Sequence, residues 1–239
     1  MATAGYNSRI MVGAHHASLY ARSASSSWST EMLDDSRLAY GSKRYTPGLE
    51  ESTFDIECLF DDDAAAGSWY AALKAAIGAT TSPVTFAPEG FTAGDPAWVA
   101  QAFLAQMSVP TSINDRVMMP VTWQPSGDAE WGHALTALQT ITSTTTGSAV
   151  DGGAATTGGA IANLHVSAIS GSPSFVTTIQ DSADASSWST IGTFATASAA
   201  ITSEHLALSG TIRRYTRAVC TITGGSTPSV TCQVSLARL

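Results

Sequence analysis

Charge is what this sequence has least of. Lys, Arg, Asp and Glu make up 13% of its 239 residues, about half the roughly 25% usual in globular domains. With 44% hydrophobic residues and much Ala, Ser, Thr and Gly, such a surface suits a subunit covered by partners better than a lone enzyme. Cysteine is scarce too. Cys58, Cys220 and Cys232 are too few and wrongly spaced for a disulfide framework or a zinc site. Cys220 and Cys232 are expected to face each other across a hairpin turning near Gly224 to Pro228, as small buried residues of a reducing compartment. No segment approaches the roughly 18 apolar residues that span a bilayer. Met1 to Gly13 lacks the basic start and apolar core of a signal peptide. No membrane partner is expected, and synthesis in a cytoplasm is.

Catalytic signatures are missing as well. There is no Gly-rich phosphate loop, nucleophile elbow or metalloprotease helix. His15 and His16 are adjacent, so on a strand they point to opposite faces and cannot chelate together. Asp181 and Asp184, in QDSADASSW, lack the further acidic ligands and closing Glu of an EF-hand and read as turn formers. The densest acidic run, Asp61 to Asp63, precedes a helix, where negative charge favours the helix dipole. No enzyme activity, metal or cofactor is expected.

The charge that is present is uneven. Residues 1–159 hold 16 acids against 7 Lys and Arg, and residues 160–239 hold 3 against 4. An acidic first half argues against grasping nucleic acid, because phosphate contacts require Lys and Arg.

Hydrophobic alternation predicts a mainly β chain. In Ser52 to Phe60, Phe54, Ile56, Cys58 and Phe60 share one face, while Asp55 and Glu57 lie on the other. Arg116 to Gln124 alternates too, with Pro120 marking an edge or bulge. Trp98 to Met107 is apolar on both faces, so one side meets a core and the other a neighbour. Leu19 to Ser27 is a further strand candidate. One helix is expected over Asp63 to Ile77, capped by Asp63 and ended by Gly78. Thr140 to Ala160 has Thr and Gly but no large residue after Val150, which reads as a linker. The expected division is a first domain over 1–145, a flexible linker over 146–159 and a second domain over 160–239. The last should be a small antiparallel sandwich of the immunoglobulin-like kind, with strands near 164–169, 174–180, 188–194, 204–208, 211–223 and 230–236. Arg213, Tyr215 and Arg217 would form one solvated sheet face.

The stretch DDSRLAYGSKRYTPGLEESTFDIECLFDDD, Asp34 to Asp63, resembles the tail tube proteins of long-tailed, siphovirus-like bacteriophages. In that family a polar loop ending in Pro-Gly-Leu precedes a strand and a short helix. Strands like Val84 to Ala87, Ala97 to Gln106 and Arg116 to Gln124 follow, so the likeness covers roughly 1–135. GSPSFVTTIQDSADASSW and GTIRRYTRAVCTITGG resemble modules appended to phage virion proteins.

The resemblance implies a tail-tube β-sandwich or partial barrel with one flanking helix. Six copies would close into homo-hexamer rings that stack into a hollow tube. DNA would pass through the lumen without specific binding. A tape-measure protein and a tail terminator would be partners, and the virion tail the location. The loop Asp34 to Glu51 would reach the next ring, with Asp34, Asp35, Arg37, Lys43 and Arg44 as charged partners. Tyr40 and Tyr45 would anchor it, and Pro47 would form its turn. Asp55 and Glu57 would line the lumen. Trp98, Val99, Gln101 and Phe103 would lie on the inter-subunit strand. The second domain would sit on the tube exterior, where it could touch a host surface, and such an outer domain favours a tail without a contractile sheath. The rival readings are a capsid decoration or other virion surface protein, and a carbohydrate-binding module using Trp188 or Tyr215 as a sugar platform.

Overall fold

A computed structural model describes residues 5–37, 41–60, 68–113, 116–198 and 201–239. Strands occupy 59% of the chain and helix 6%, so the expected mainly β class is the observed one. In chain order the strands are β1 (Arg9–Val12), β2 (His15–His16), β3 (Ala21–Asp34), β4 (Tyr45–Leu59), β5 (Ser82–Ala87), β6 (Pro96–Met107), β7 (Met118–Ala134) and β8 (Gln139–Ile141). They continue as β9 (Thr145–Thr146), β10 (Val150–Asp151), β11 (Ala160–Ser170), β12 (Ser174–Ser182), β13 (Ser189–Thr193), β14 (Thr202–Leu208), β15 (Tyr215–Thr223) and β16 (Ser229–Arg238). The helix α1 spans Trp69–Ala76.

The helix is shorter than its apolar spacing suggests. Ser68 caps it, its hydroxyl accepting from the Ala71 N–H at 3.2 Å, and Gly78 follows at φ +68°, a left-handed position glycine adopts without strain. Asp63, expected as the cap, lies outside the described residues, as do Asp61 and Asp62. Trp69 and Leu73 turn inward and help close a first core. The alternating strands supply the rest of it: Phe54, Ile56 and Cys58 from β4, Trp98, Ala100 and Leu104 from β6, and Met119, Val121 and Trp123 from β7. Pro120 pairs with Glu57, and the bulge beside it falls in the partner strand β6, between Leu104 and Gln106.

A second core lies between two sheets of the C-terminal half. One face comes from β14, β11, β16 and β8, the other from β13, β12, β15, β10 and β9. The two halves are not strung apart. Ser235 and Leu236 of β16 pair with Ala134 and His133 of β7, so one antiparallel sheet runs from β14 through β11, β16, β7, β6 and β5 to β1 and β2.

The stretch expected as a flexible linker is instead pinned along its length. β9 and β10 both pair with β15, Thr156 bridges Ile212, and Val150 is buried in the second core. Its glycines serve close approach. A Cβ on Gly152 would stand 2.4 Å from the Arg238 guanidinium carbon, and one on Gly158 2.5 Å from the Leu239 carbonyl oxygen. Arg238 donates to the carbonyls of Gly152 (3.1 Å), Ala154 (2.9 Å), Arg213 (2.7 Å) and Arg214 (2.5 Å). One five-donor side chain thus satisfies a segment with little apolar surface to bury.

The arginines of the second lobe are likewise paired. Arg213 meets the buried carboxylate of Asp181 at 2.5 Å, and Arg214 meets Asp151 at 2.7 Å. Asp181 is therefore a core ion-pair partner. Asp184 forms a turn, accepting from the Ser186 and Ser187 N–H groups, which hold its carboxyl below the usual range.

Candidate assembly surfaces

Strands β3 and β4 form a hairpin that outruns the body of the protein. β3 has 14 residues, about 45 Å at roughly 3.3 Å per residue. Only the base of β4 has a second neighbour, Phe54–Leu59 pairing with Trp123–Met118 of β7. From Trp28 to Asp34 and from Tyr45 to Ser52 the two strands pair with each other alone. A lone two-stranded ribbon is marginal in water. This one carries exposed Trp28, Met32, Leu33, Tyr45 and Leu49. Met32 and Tyr45 lie on one face and Leu33 on the other, so neither face is a simple solvated surface. A register shift between Thr30 and Met32 adds local twist, and Gly48 passes within reach of Glu31 there.

The loop expected at an inter-ring contact is the tip of this arm. Asp34, Asp35, Arg37, Lys43, Arg44, Tyr45 and Pro47 are exposed on it, while Tyr40 lies outside the described residues. Ser36 orders the tip: its N–H donates to Asp34 Oδ1 at 2.9 Å, and its hydroxyl accepts from the Arg44 N–H at 2.9 Å. The contacts from Ser36 hold the Asp34 carboxyl below its ordinary range.

Behind the arm, β3, β4, β7 and β6 make a four-stranded sheet whose inner face builds the first core. Its outer face carries Ser23, Ser25 and Ser27, then Thr53, Asp55 and Glu57, then Pro120, Thr122 and Gln124, and then Phe103. None of these positions holds Lys or Arg; Arg22, in the bulge between Ala21 and Ser23, reaches the same face at its base, where its Nη1 lies 3.8 Å from the Met118 sulfur. Asp55 accepts from the Thr122 hydroxyl at 2.5 Å and Glu57 from the Ser23 hydroxyl at 3.2 Å, and both carboxylates are exposed. The sheet is open at both ends. Among the described residues β3 pairs only with β4, and Phe103–Met107 of β6 runs past the end of β5, whose pairing stops at Ala102. Backbone donors and acceptors along both edges are free to take another strand.

The four candidates on β6 separate. Trp98 is fully buried in the first core. Val99, on the other face, packs with Ile161 and Ala237 of the second lobe. The neighbour that its two-sided apolarity called for is in the same chain, so neither residue can face another subunit. Gln101 is half-buried, and Phe103 is exposed beside the open edge.

That seam was invisible in the sequence. Asn163 and His165 alternate with Leu164 and Val166, a pattern that ordinarily marks a solvated strand face, yet both are fully buried against β5 and β6. Asn163 Nδ2 lies 2.9 Å from Val84 O and 3.1 Å from Ala100 O. On the far side of the second lobe, on its other sheet, the Arg217 guanidinium sits 4.0 Å from the centroid of the Trp188 ring and is fixed by Gln180. A ring face covered by a cation is not open to a sugar.

No family model and no curated protein matches the chain. Solved structures of phage and particle tails resemble it. The virion of a native gene transfer agent particle contains a chain 12% identical, with TM-score 0.43, covering 54% of this chain and 98% of that one. A tail tube structure of phage SPP1 gives 10% identity and TM-score 0.44 over 55% and 80% of the two chains. The SPP1 Dit protein, described as a hub adsorption apparatus of phages infecting Gram-positive hosts, gives 12% and 0.41 over 97% and 99%.

Proposed function

We propose that this chain is a structural subunit of a phage tail, closing into six-membered rings that stack as a tube through which DNA passes. The observation that carries this reading is the four-stranded sheet β3-β4-β7-β6, open at both edges and, apart from Arg22 at its base, without a cation at the outer-face positions named above. Joining the β3 edge of one copy to the Phe103–Met107 edge of the next buries both sets of free backbone groups, and repetition around a rotation axis closes a barrel. The outer face then becomes the lumen wall. The carboxylates of Asp55 and Glu57 repel phosphate, and the neutral hydroxyls and amides around them give it no opposing charge, so DNA passes this part of the wall without being trapped.

The arm supplies the axial contact. Met32, Leu33, Tyr45 and Leu49 find burial against the next ring, with Asp34, Asp35, Arg37, Lys43 and Arg44 at its rim. The second lobe lies on the tube exterior, seated on the body through Val99, Ile161 and Ala237. Tape-measure and terminator proteins would set the tube's length. The Arg217 cover over Trp188 speaks against the carbohydrate-binding alternative.

Negative-stain electron microscopy of the purified chain over a concentration series tests the proposal. Six-fold rings or hollow tubes with outer knobs are expected. Monomers or trimers that bind expanded capsids would overturn it in favour of a decoration protein.

A further inference from the structure

Cys220 and Cys232 do not face each other along a hairpin ladder. β15 and β16 belong to different sheets, and the two side chains meet across the interior of the second lobe, 3% and 1% exposed. Cys220 has the Thr177 hydroxyl 3.8 Å from its sulfur, and its other close partner is Cys232. The neighbouring Cys232 draws the Cys220 thiol down, and Cys220 together with burial pushes Cys232 up. Cys58 is remote from both, in the first core.

The two cysteines also share a cover. Cys220 pairs with Thr145 of β9, and Cys232 pairs with Gln139 of β8. Both partners belong to one strap, residues 139–146, which crosses from one sheet to the other beside the thiols. Strands of two and three residues hold it. So does Thr144, whose hydroxyl accepts from the Ile222 N–H at 3.1 Å and reaches the Ile222 carbonyl at 3.4 Å. Segments with so few pairings open most readily.

We propose that Cys220 and Cys232 close into an inter-sheet disulfide when the protein meets a disulfide oxidant such as oxidised glutathione, and that opening of the 139–146 strap gates the reaction. The Cys220 thiolate attacks one glutathione sulfur and forms a mixed disulfide, and the first glutathione leaves as thiolate. Cys232, losing its proton to solvent, then attacks the Cys220 sulfur and expels the second glutathione. Two protein thiols are oxidised and one glutathione disulfide is reduced to two thiols, so atoms and electrons balance. The bond ties the two sheets of the lobe together. It does not depend on the tail reading.

The test is incubation of the full chain with oxidised glutathione, followed by alkylation, intact mass and non-reducing peptide mapping. Three alkylated cysteines are expected before and one, Cys58, after, with a single peptide pair joining Cys220 to Cys232. The melting temperature should rise by on the order of 5–10 °C. Thr144→Ala should speed thiol loss several-fold, and Cys232→Ala should leave Cys220 carrying one glutathione. Three free thiols in chain refolded from denaturant in the same buffer, where no strap shields them, would overturn the proposal. So would bonds found only to Cys58 or between molecules.

Discussion

The hydroxyl of Thr85 sits 2.8 Å from Nε2 of His165, and both side chains are fully buried where the two lobes meet. Nδ1 of the same ring is 2.6 Å from the Gly13 carbonyl oxygen. A carbonyl only accepts, so Nδ1 carries the proton and Nε2 accepts from Thr85. The Thr85 oxygen in turn accepts from Asn163 Nδ2 at 3.1 Å, and Asn163 Oδ1 accepts from His205 Nδ1 at 2.8 Å. The chain of donors closes with a neutral imidazole at its centre, and it ties β11 to β5 and to the turn after β1.

Asn163→Leu breaks this chain at its branch point. It removes the side-chain donor to the Val84 and Ala100 carbonyls and to the Thr85 hydroxyl, and the acceptor of the half-buried His205, at a cost of roughly 2–4 kcal/mol. Urea denaturation should show a lower midpoint. Because the sheet is continuous across the seam, fluorescence and circular dichroism should report one coincident transition for the wild type.

Acid should loosen the same seam. Burial lowers His165 to about 4, against 6.5 for the free side chain. Burial also lowers His205, opposed by Asp128. A histidine kept neutral by the fold contributes stability that is full above the unfolded value of 6.5. That stability is lost as pH falls from there toward 4, since the unfolded chain takes up the proton first. Melting temperature should therefore decline between pH 6.5 and 4 beyond what a His165→Gln, His205→Gln variant shows.

Met32→Ser with Leu49→Ser removes apolar surface from the arm without touching either core. The monomer's unfolding free energy should change by less than about 0.5 kcal/mol, while rings or tubes fail to stack under the microscope. A large loss of monomer stability would make the arm part of the fold rather than an interface.

Asp55→Lys with Glu57→Lys places cations on the outer face of β4. Tubes should still form, because neither side chain lies at a free edge, but DNA ejection should slow. Ejection at the normal rate would remove these two residues from the lumen.

Arg238→Ala removes a donor from four carbonyls, of which Arg214 keeps the Gly152 N–H at 3.0 Å. Limited proteolysis should then cut between Gly152 and Gly158, where the wild type resists. Lys at the same position should protect only in part, because an ammonium cannot reproduce the guanidinium fork.

The sequence by itself determined the elements. Period-two alternation set which face of β4 and β7 turns inward, Gly78 ended the helix, and turn residues separated the strands of the second lobe, because each of these is decided by a side chain and its near neighbours. The acidic, exposed row of Asp55 and Glu57 was legible for the same reason. What covers a face was not. Alternation gives the side but not the partner, so Val99 pointed to a neighbour without saying that the neighbour was Ile161 and Ala237 of its own chain. A polar row such as Asn163 and His165 looks solvated until another sheet supplies its hydrogen-bond partners. Glycine is equally suited to a loose linker and to close packing, and only the arrival of Arg238 and Leu239 against Gly152 and Gly158 decided between them. Tertiary structure likewise moved Cys220 and Cys232 from a ladder to opposite sheets, since the turn that joins two strands does not dictate which sheet each one enters.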